Sequence, residues 1–354
     1  MSKKLFPLFV GLFFYLAFTF QAHSQEQKIN IERTESGFHC TANGKPLFVY
    51  RSSPASYAEL PEKEYKTYIS ELYTPDGRNI LRDSPDDHVH HHALMFAIAA
   101  DDVNFWEEVG KDKCGVQLER NAFDSIGVKS HQSVNGVERW TAGTEFTRRL
   151  DWYKPDQTVV ILEERKIRTI LANDHDATLL TWTSTLAVGP DRESVKLSGA
   201  HYYGLGMRFD QTMDKNGTFF CDPGSAIATD NVRGDEKKTP CKWMAYTADL
   251  HGKPVTIAVF DAPENPRPMS AFTMGESGQS FAYISATVDL EKEPIMLEKD
   301  KPLTFEYGVA VWEGKQSAEE VQKVYRFWLQ QDRIGTARVL FPPYFSLISE
   351  LMNM

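Results

Sequence analysis

The densest chemistry in this chain sits in Asp86-Asp87-His88-Val89-His90-His91-His92, where four of the ten histidines fall within five positions. Imidazole titrates near neutral pH and also ligates transition metals, so the run supports acid/base catalysis or metal binding. An incidental surface run is the third reading. In an extended segment His88, His90 and His92 would point to one face and His91 to the other. A metal could then be shared by alternate histidines, with Asp87, Glu145 or a distant His completing the set. Neither H-E-x-x-H nor a Cys/His spacing is present to favour zinc, so no metal ligand is assigned and the cofactor is left unknown. For catalysis, one imidazole would supply a proton while another group removes one.

Two further constellations could share that work. In Ser198-Gly199-Ala200-His201-Tyr202-Tyr203-Gly204-Leu205-Gly206-Met207-Arg208-Phe209, glycines let the backbone bend and approach a ligand beside a His, two Tyr and an Arg. The alternative is a strand end where His201 caps a turn and Arg208 forms a surface ion pair. Phe260-Asp261-Ala262-Pro263-Glu264-Asn265-Pro266-Arg267-Pro268 is a Pro-spaced loop after an apolar strand. Pre-organised polar groups on such a loop suit substrate positioning, with Arg267 placed to recognise a carboxylate or a sugar hydroxyl. A plain connection reads equally from the same residues. Among aromatics, Trp106 follows the His strand closely and is the preferred sugar platform, with Tyr73 as a second, although most aromatics in a β-sandwich are core.

The elements that must hold these residues read mainly as strands. Runs at 29–33, 47–51, 93–98, 127–134, 138–150, 158–171, 178–188 and 255–260 are rich in β-branched or aromatic residues. Within Thr181 to Val188, Trp182, Ser184, Leu186 and Val188 alternate with Thr181, Thr183, Thr185 and Ala187, as one buried face requires. Asn135-Gly136 supplies the positive φ angles of a tight hairpin between two long strands. Strand-turn-strand repetition without helical periods predicts an all-β antiparallel sandwich. One helix is expected near the end, where Ser317-Ala318-Glu319-Glu320 is a capping box and Val321, Val324, Tyr325, Trp328 and Leu329 follow at helical spacing. The stretch 221–242 reads as a long loop within one domain.

Lys3 and Lys4, an apolar run from Leu5 to Phe20, and Ala22 and Ser24 two positions apart have the order of a cleaved secretory leader. The expected organisation is therefore a signal peptide over 1–24 and a single β-sandwich domain over 25–354, with a periplasmic or secreted product. The apolar run is shorter than a bilayer span, and no later stretch approaches one, so the mature form is expected to have no membrane span. Asp and Glu number 49 against 39 Lys and Arg, a net charge of −10, which argues against nucleic acid as a partner. Cys40, Cys114, Cys221 and Cys241 allow two disulfides in an oxidising compartment, Cys221 with Cys241 first, or buried free thiols.

Taken in order, Tyr73-Thr74-Pro75-Asp76-Gly77, Asp87-His88-Val89-His90-His91, Asn104-Phe105-Trp106, Gly204-Leu205-Gly206-Met207-Arg208 and the 261–268 loop resemble a family of secreted bacterial proteins of unknown function labelled methane oxygenase PmoA-like. The resemblance spans about 45 to 330, and its Asp-His-x-His-His element falls on Asp87, His88, His90 and His91. His92 stands where that family usually has Arg, and Ala262 where it often has His. The oxygenase label implies a subunit of transmembrane helices, which the mature chain does not offer. In length and strand pattern the family is similar to the galactose-mutarotase-like supersandwich, which implies histidines and a carboxylate acting on a sugar across one sheet. The resulting expectation is a carbohydrate-active hydrolase, lyase or epimerase. His88, His91 and His201 would be catalytic, and Asp87, His90, Trp106, Tyr203, Arg208, Asp261, Asn265 and Arg267 would bind substrate. A non-catalytic glycan-binding protein and a metal-dependent enzyme remain the alternatives.

Overall fold

Runs of β-branched and aromatic residues become strands because side chains on a pleated backbone alternate between two faces, each of which can be buried separately. The computed structural model describes residues 29–52, 57, 66–120, 125–134, 137–172, 176–275 and 281–335. The leader, its cleavage point before Gln25, and the Asn135-Gly136 turn lie outside the described residues. Ser125–Val134 and Val137–Tyr153 nevertheless pair antiparallel, with Val134 opposite Val137.

Three antiparallel sheets form. In the first, nine strands run in the order Ile29–Thr34, Gly37–Ala42, Lys45–Arg51, Tyr68–Leu72, Leu94–Ala97, Gly204–Arg208, Tyr283–Thr287, Ser270–Met274 and Lys237–Pro240. The second runs Thr218–Cys221, Trp243–Leu250, Lys253–Asp261, Leu303–Glu313, Ala177–Val188, Val159–Ala172, Val137–Tyr153 and Val116–Glu119, with Ser125–Val134 also paired to Val137–Tyr153. A small third sheet joins Ile295–Glu298, Ser194–Ser198, Ala99–Ala100 and Val103–Asn104. The fold is thus all-β with one C-terminal helix, as the residue pattern implies. Among the described residues no helix is long and apolar enough to cross a membrane.

The main core lies between the two large sheets. Leu94, Phe96, Leu205, Met207 and Ile284 of the first meet Trp182, Phe305, Tyr307 and Val309 of the second in one apolar cluster. The second sheet's other face is covered by the helix Ala318–Gly335. Its capping box is made: Ser317 Oγ accepts from Glu320 N at 3.2 Å. Val321, Val324, Tyr325 and Trp328 pack on Ala177, Leu179, Phe260 and Ala310. The alternation expected over Thr181–Val188 is seen from Trp182 to Ala187, and the helix cover accounts for the continuous burial before it. Residues 177–181 are buried on both faces, and only beyond Trp182 do buried and half-buried positions alternate.

The first sheet's other face matters for function. Met95, Ala97, Phe272 and Tyr283, which alternate with core residues, join Tyr68, Trp106 and Tyr203 in a separate aromatic cluster. Gly206 and Arg208 share that parity. A Cβ on Gly206 would lie 1.9 Å from Tyr283 Oη and 2.9 Å from Trp106 Cη2, so only glycine lets these rings settle on the strand. All four cysteines are free, which corrects the Cys221–Cys241 pairing; burial instead pushes the Cys40 thiol up to about 12.

Candidate functional site

The histidine run is a folded turn, not a strand. His88 N donates to Pro85 O (2.9 Å), His91 N to His88 O (2.9 Å) and His92 N to His90 O (3.2 Å), while Ser84 N donates to His91 O (3.1 Å). The strand begins only at Leu94. Because the backbone turns, the alternation expected of His88, His90 and His92 against His91 is lost. His88 and His91 stack at 4.6 Å, and His90 meets His91 edge-on at 4.7 Å. Among the described residues no three His, Cys, Asp or Glu side chains group in the manner of a metal site.

His92 anchors the turn from below. Its Nδ1 is 2.9 Å from Asp83 Oδ1 and its Nε2 is 2.7 Å from Glu108 Oε2. An ionised carboxylate only accepts, so both ring nitrogens must donate and the ring is an imidazolium. Burial works against that charge, but the hydrogen bonds to Asp83 and Glu108 outweigh it and hold the pKa above the ordinary value. Tyr68 stacks on the ring at 4.2 Å and donates its hydroxyl to Asp83 Oδ2 at 2.9 Å. Glu108 also faces Lys66 Nζ at 3.6 Å, and that ammonium bonds to Trp106 O.

The other three histidines form the working surface. His88 Nδ1 lies 3.1 Å from Asp87 Oδ2, and the same oxygen accepts from Arg208 Nη2 at 3.1 Å. Burial tends to raise the Asp87 pKa, but His88 and Arg208 together hold it below the usual carboxylate range. His90 Nδ1 is 3.3 Å from Glu107 Oε2. Burial, with Lys66 and His88 nearby, pushes the His90 pKa down to about 4. Burial and the adjacent positive groups take His91 down to about 2, so it is a neutral ring against Tyr283 (5.3 Å) and Phe281 (5.6 Å). Burial raises the pKa of Glu107, although Lys66 and His88 oppose the shift.

The remaining expected residues divide. Trp106 is fully buried, stacked on Tyr203 at 5.1 Å and edge-on to His91 at 6.2 Å. It is therefore a wall behind the histidines, which corrects its assignment as an exposed platform. Tyr73 bonds to Glu71, beside the turn 74–77. His201 shares the sheet face but sits beyond Tyr202 (5.1 Å) and Phe272 (5.5 Å). Its Nε2 meets Glu236 Oε2 at 3.0 Å, and it lines a separate cleft of about 410 Å³ with Asn231, Lys238 and Glu291. The expected convergence of His201 with His88 and His91 is not made.

The 261–268 loop does other work. Asp261 accepts from Asn265 Nδ2 (2.7 Å) and Met269 N (2.9 Å), and Asn265 is paired to the Glu306 backbone in both directions (2.9 and 2.6 Å). Burial raises Asp261 to about 6. Arg267 donates to the carbonyls of Val288 (3.3 Å), Glu293 (2.5 Å) and Pro294 (3.3 Å). These three residues fasten the loop to neighbouring backbone, a correction to their assignment as substrate ligands. The sequence reading missed Glu107, Glu108, Lys66, Asp83 and Tyr283. Only Glu107-Glu108 left a signal, by following Trp106 directly.

Fold and site together define a β-sandwich protein with a histidine turn on an aromatic outer face. The chain belongs to a family described as of unknown function (DUF6807), whose model matches residues 38–326. That description assigns no activity, and the oxygenase label has no support. No curated protein matches the sequence. Similar solved structures include HI1317 (9% identity, 81% of this chain and 99% of that one, TM-score 0.35). A galactose mutarotase related enzyme from Lactobacillus acidophilus has 11% identity over 82% and 100% of the chains, with TM-score 0.40. The Slr1438 protein from Synechocystis sp. PCC 6803 has 9% identity over 81% and 96%, with TM-score 0.33. Such low values bear on no residue's role and no substrate.

Proposed function

We propose that this protein is an exported carbohydrate-active enzyme in which His88 transfers a proton at a sugar. The observation that carries this reading is the Asp87–His88 pair: a carboxylate held by Arg208 fixes Nδ1, leaving Nε2 to exchange a proton with substrate. Glu107, whose pKa burial raises and which is in contact with His90, takes the place of His201 as the opposite number. His91 suits substrate hydrogen bonding better than proton abstraction, because a group with a pKa near 2 is a weak base at neutral pH. The reaction is a hydrolysis, elimination or epimerisation of a glycan fragment. The leader expected over 1–24 places it in the periplasm or outside the cell.

The test is a screen of neutral and acidic glycan fragments, read for reducing ends and unsaturated products, with wild type and His88→Ala in parallel. Turnover should fall by ~10²–10⁴ in the variant while its melting temperature stays close to wild type. Activity within a few fold of wild type would remove His88 from the chemistry.

A further inference from the structure

We propose that the site takes a carboxylate-bearing sugar, a uronic acid residue within a glycan, and that Arg208 recognises the carboxylate. This rests on the acid/base reading above and names its substrate class. A guanidinium carries five N–H donors and no acceptor. In Arg208 only Nη2 is engaged, by Asp87; Nε and Nη1 are buried without a protein hydrogen-bond partner, in a residue only 1% exposed. Leaving buried donors on a cation unpaired is costly, so the arrangement is explained when a ligand acceptor completes it.

A buried guanidinium can be satisfied by the fold itself. Arg165 uses Nε, Nη1 and Nη2 on Glu163, Thr67 and Gln117. Arg208 differs from Arg165 in that its Nε and Nη1 have no such partners beside the histidine turn. Phe281 lies over its guanidinium at 3.3 Å and fixes its plane from one face. The same Phe281 touches His88 at 4.8 Å, so a group bound at Arg208 lies beside the proton-transferring ring.

Charge and geometry select the ligand. Burial lowers the Arg208 pKa only to about 10, so it remains cationic at neutral pH. Asp87 and Asp214 face it as anions and Arg82 as a cation, which favours a singly charged ligand over a dianion such as phosphate. A planar carboxylate matches the planar guanidinium in two parallel hydrogen bonds. Neutralising it would also acidify the hydrogen on the carbon that bears it, the position from which His88 could take a proton.

The experiment titrates wild-type protein with oligosaccharides of galacturonate, glucuronate, mannuronate and guluronate, each beside its methyl ester, a neutral analogue and a sulfated neutral analogue. Calorimetry reads binding and product assays read turnover. At least one free acid should bind, with its ester at least 100-fold weaker, and Arg208→Gln should lose a comparable factor while Arg208→Lys retains part. Should Arg208→Gln fail to fold, the acid-to-ester ratio on wild type decides alone. Equal binding of acid and ester, or binding of neutral or sulfated glycans only, overturns the Arg208 assignment; turnover lost in His88→Ala would still uphold the acid/base reading. Binding of no sugar of any charge overturns both.

Discussion

Replacing His92 by Leu tests the claim that the turn is held by a buried imidazolium. The His92 side chain is 0% exposed and that of Glu108 is 2% exposed, whereas that of Asp83 is 22% exposed and keeps Tyr68 and Arg51 as partners. Most of the loss therefore falls on Glu108, which keeps its contact with Lys66. Breaking a buried pair by removing one partner costs about 3–5 kcal/mol, a large part of the stability of an ordinary domain. Urea unfolding at pH 7, followed by tryptophan fluorescence, should show a deficit of that size. The pH dependence has a definite sign. A folded pKa raised above the unfolded value gives stability that is full below the unfolded value and lost as pH rises through the folded one. The gap between wild type and His92→Leu should therefore close towards alkaline pH. A deficit under about 1 kcal/mol, or a gap that does not close towards alkaline pH, would refute the imidazolium anchor.

Two further outcomes follow from the same geometry. His90, depressed from 6.5 to about 4, favours the folded state above its unfolded pKa, and this contribution of about 3 kcal/mol is lost as pH falls from 6.5 towards 4. Stability measured across that window should decline, with a shallower slope in His90→Asn; equal slopes would count against a neutral His90. Gly206→Ala puts a methyl against Tyr283 and Trp106 at 1.9 and 2.9 Å, so a melting-temperature loss matching about 1–3 kcal/mol is expected, and no loss would mean that the aromatic wall is loosely packed.

Sequence pattern revealed the sheets because strand burial is written with a period of two. Val159–Ala172, Ala177–Val188 and Lys253–Asp261 form close to where β-branched runs place them. The helix was legible because Ser317 and the apolar stripe are local signals. The site was only half legible. His88, His90 and His91 are neighbours in the chain, so their grouping needed no topology, and the Asp87–Arg208 contact joined two motifs already suspected. The turn was misread as a strand because its geometry depends on the Asp83–His92 bridge and on Glu108, contacts no local pattern encodes. His201 was misplaced for the complementary reason: Tyr202 and Phe272 intervene, and which rings intervene is set by strand order.

The dipeptide Glu107-Glu108 shows how burial separates two roles that composition cannot. Asn104 Oδ1 accepts from Trp106 N at 2.7 Å and Glu107 N at 3.1 Å, which fixes the backbone where the chain leaves the buried Trp106. From there Glu108 turns inward to His92 and Lys66, and Glu107 turns outward to His90 with a side chain 27% exposed. The inner carboxylate is neutralised on two sides and continues into the core, since Thr67, next to Lys66, is bonded by the fully buried Arg165. A group held on both sides by His92 and Lys66 positions the turn. The outer one has its pKa raised by burial yet reaches solvent, the combination a proton donor needs. Glu107→Gln should therefore lower turnover with little change in stability, and Glu108→Gln the reverse. If both variants lowered turnover without loss of stability, the division of roles drawn from burial would be wrong.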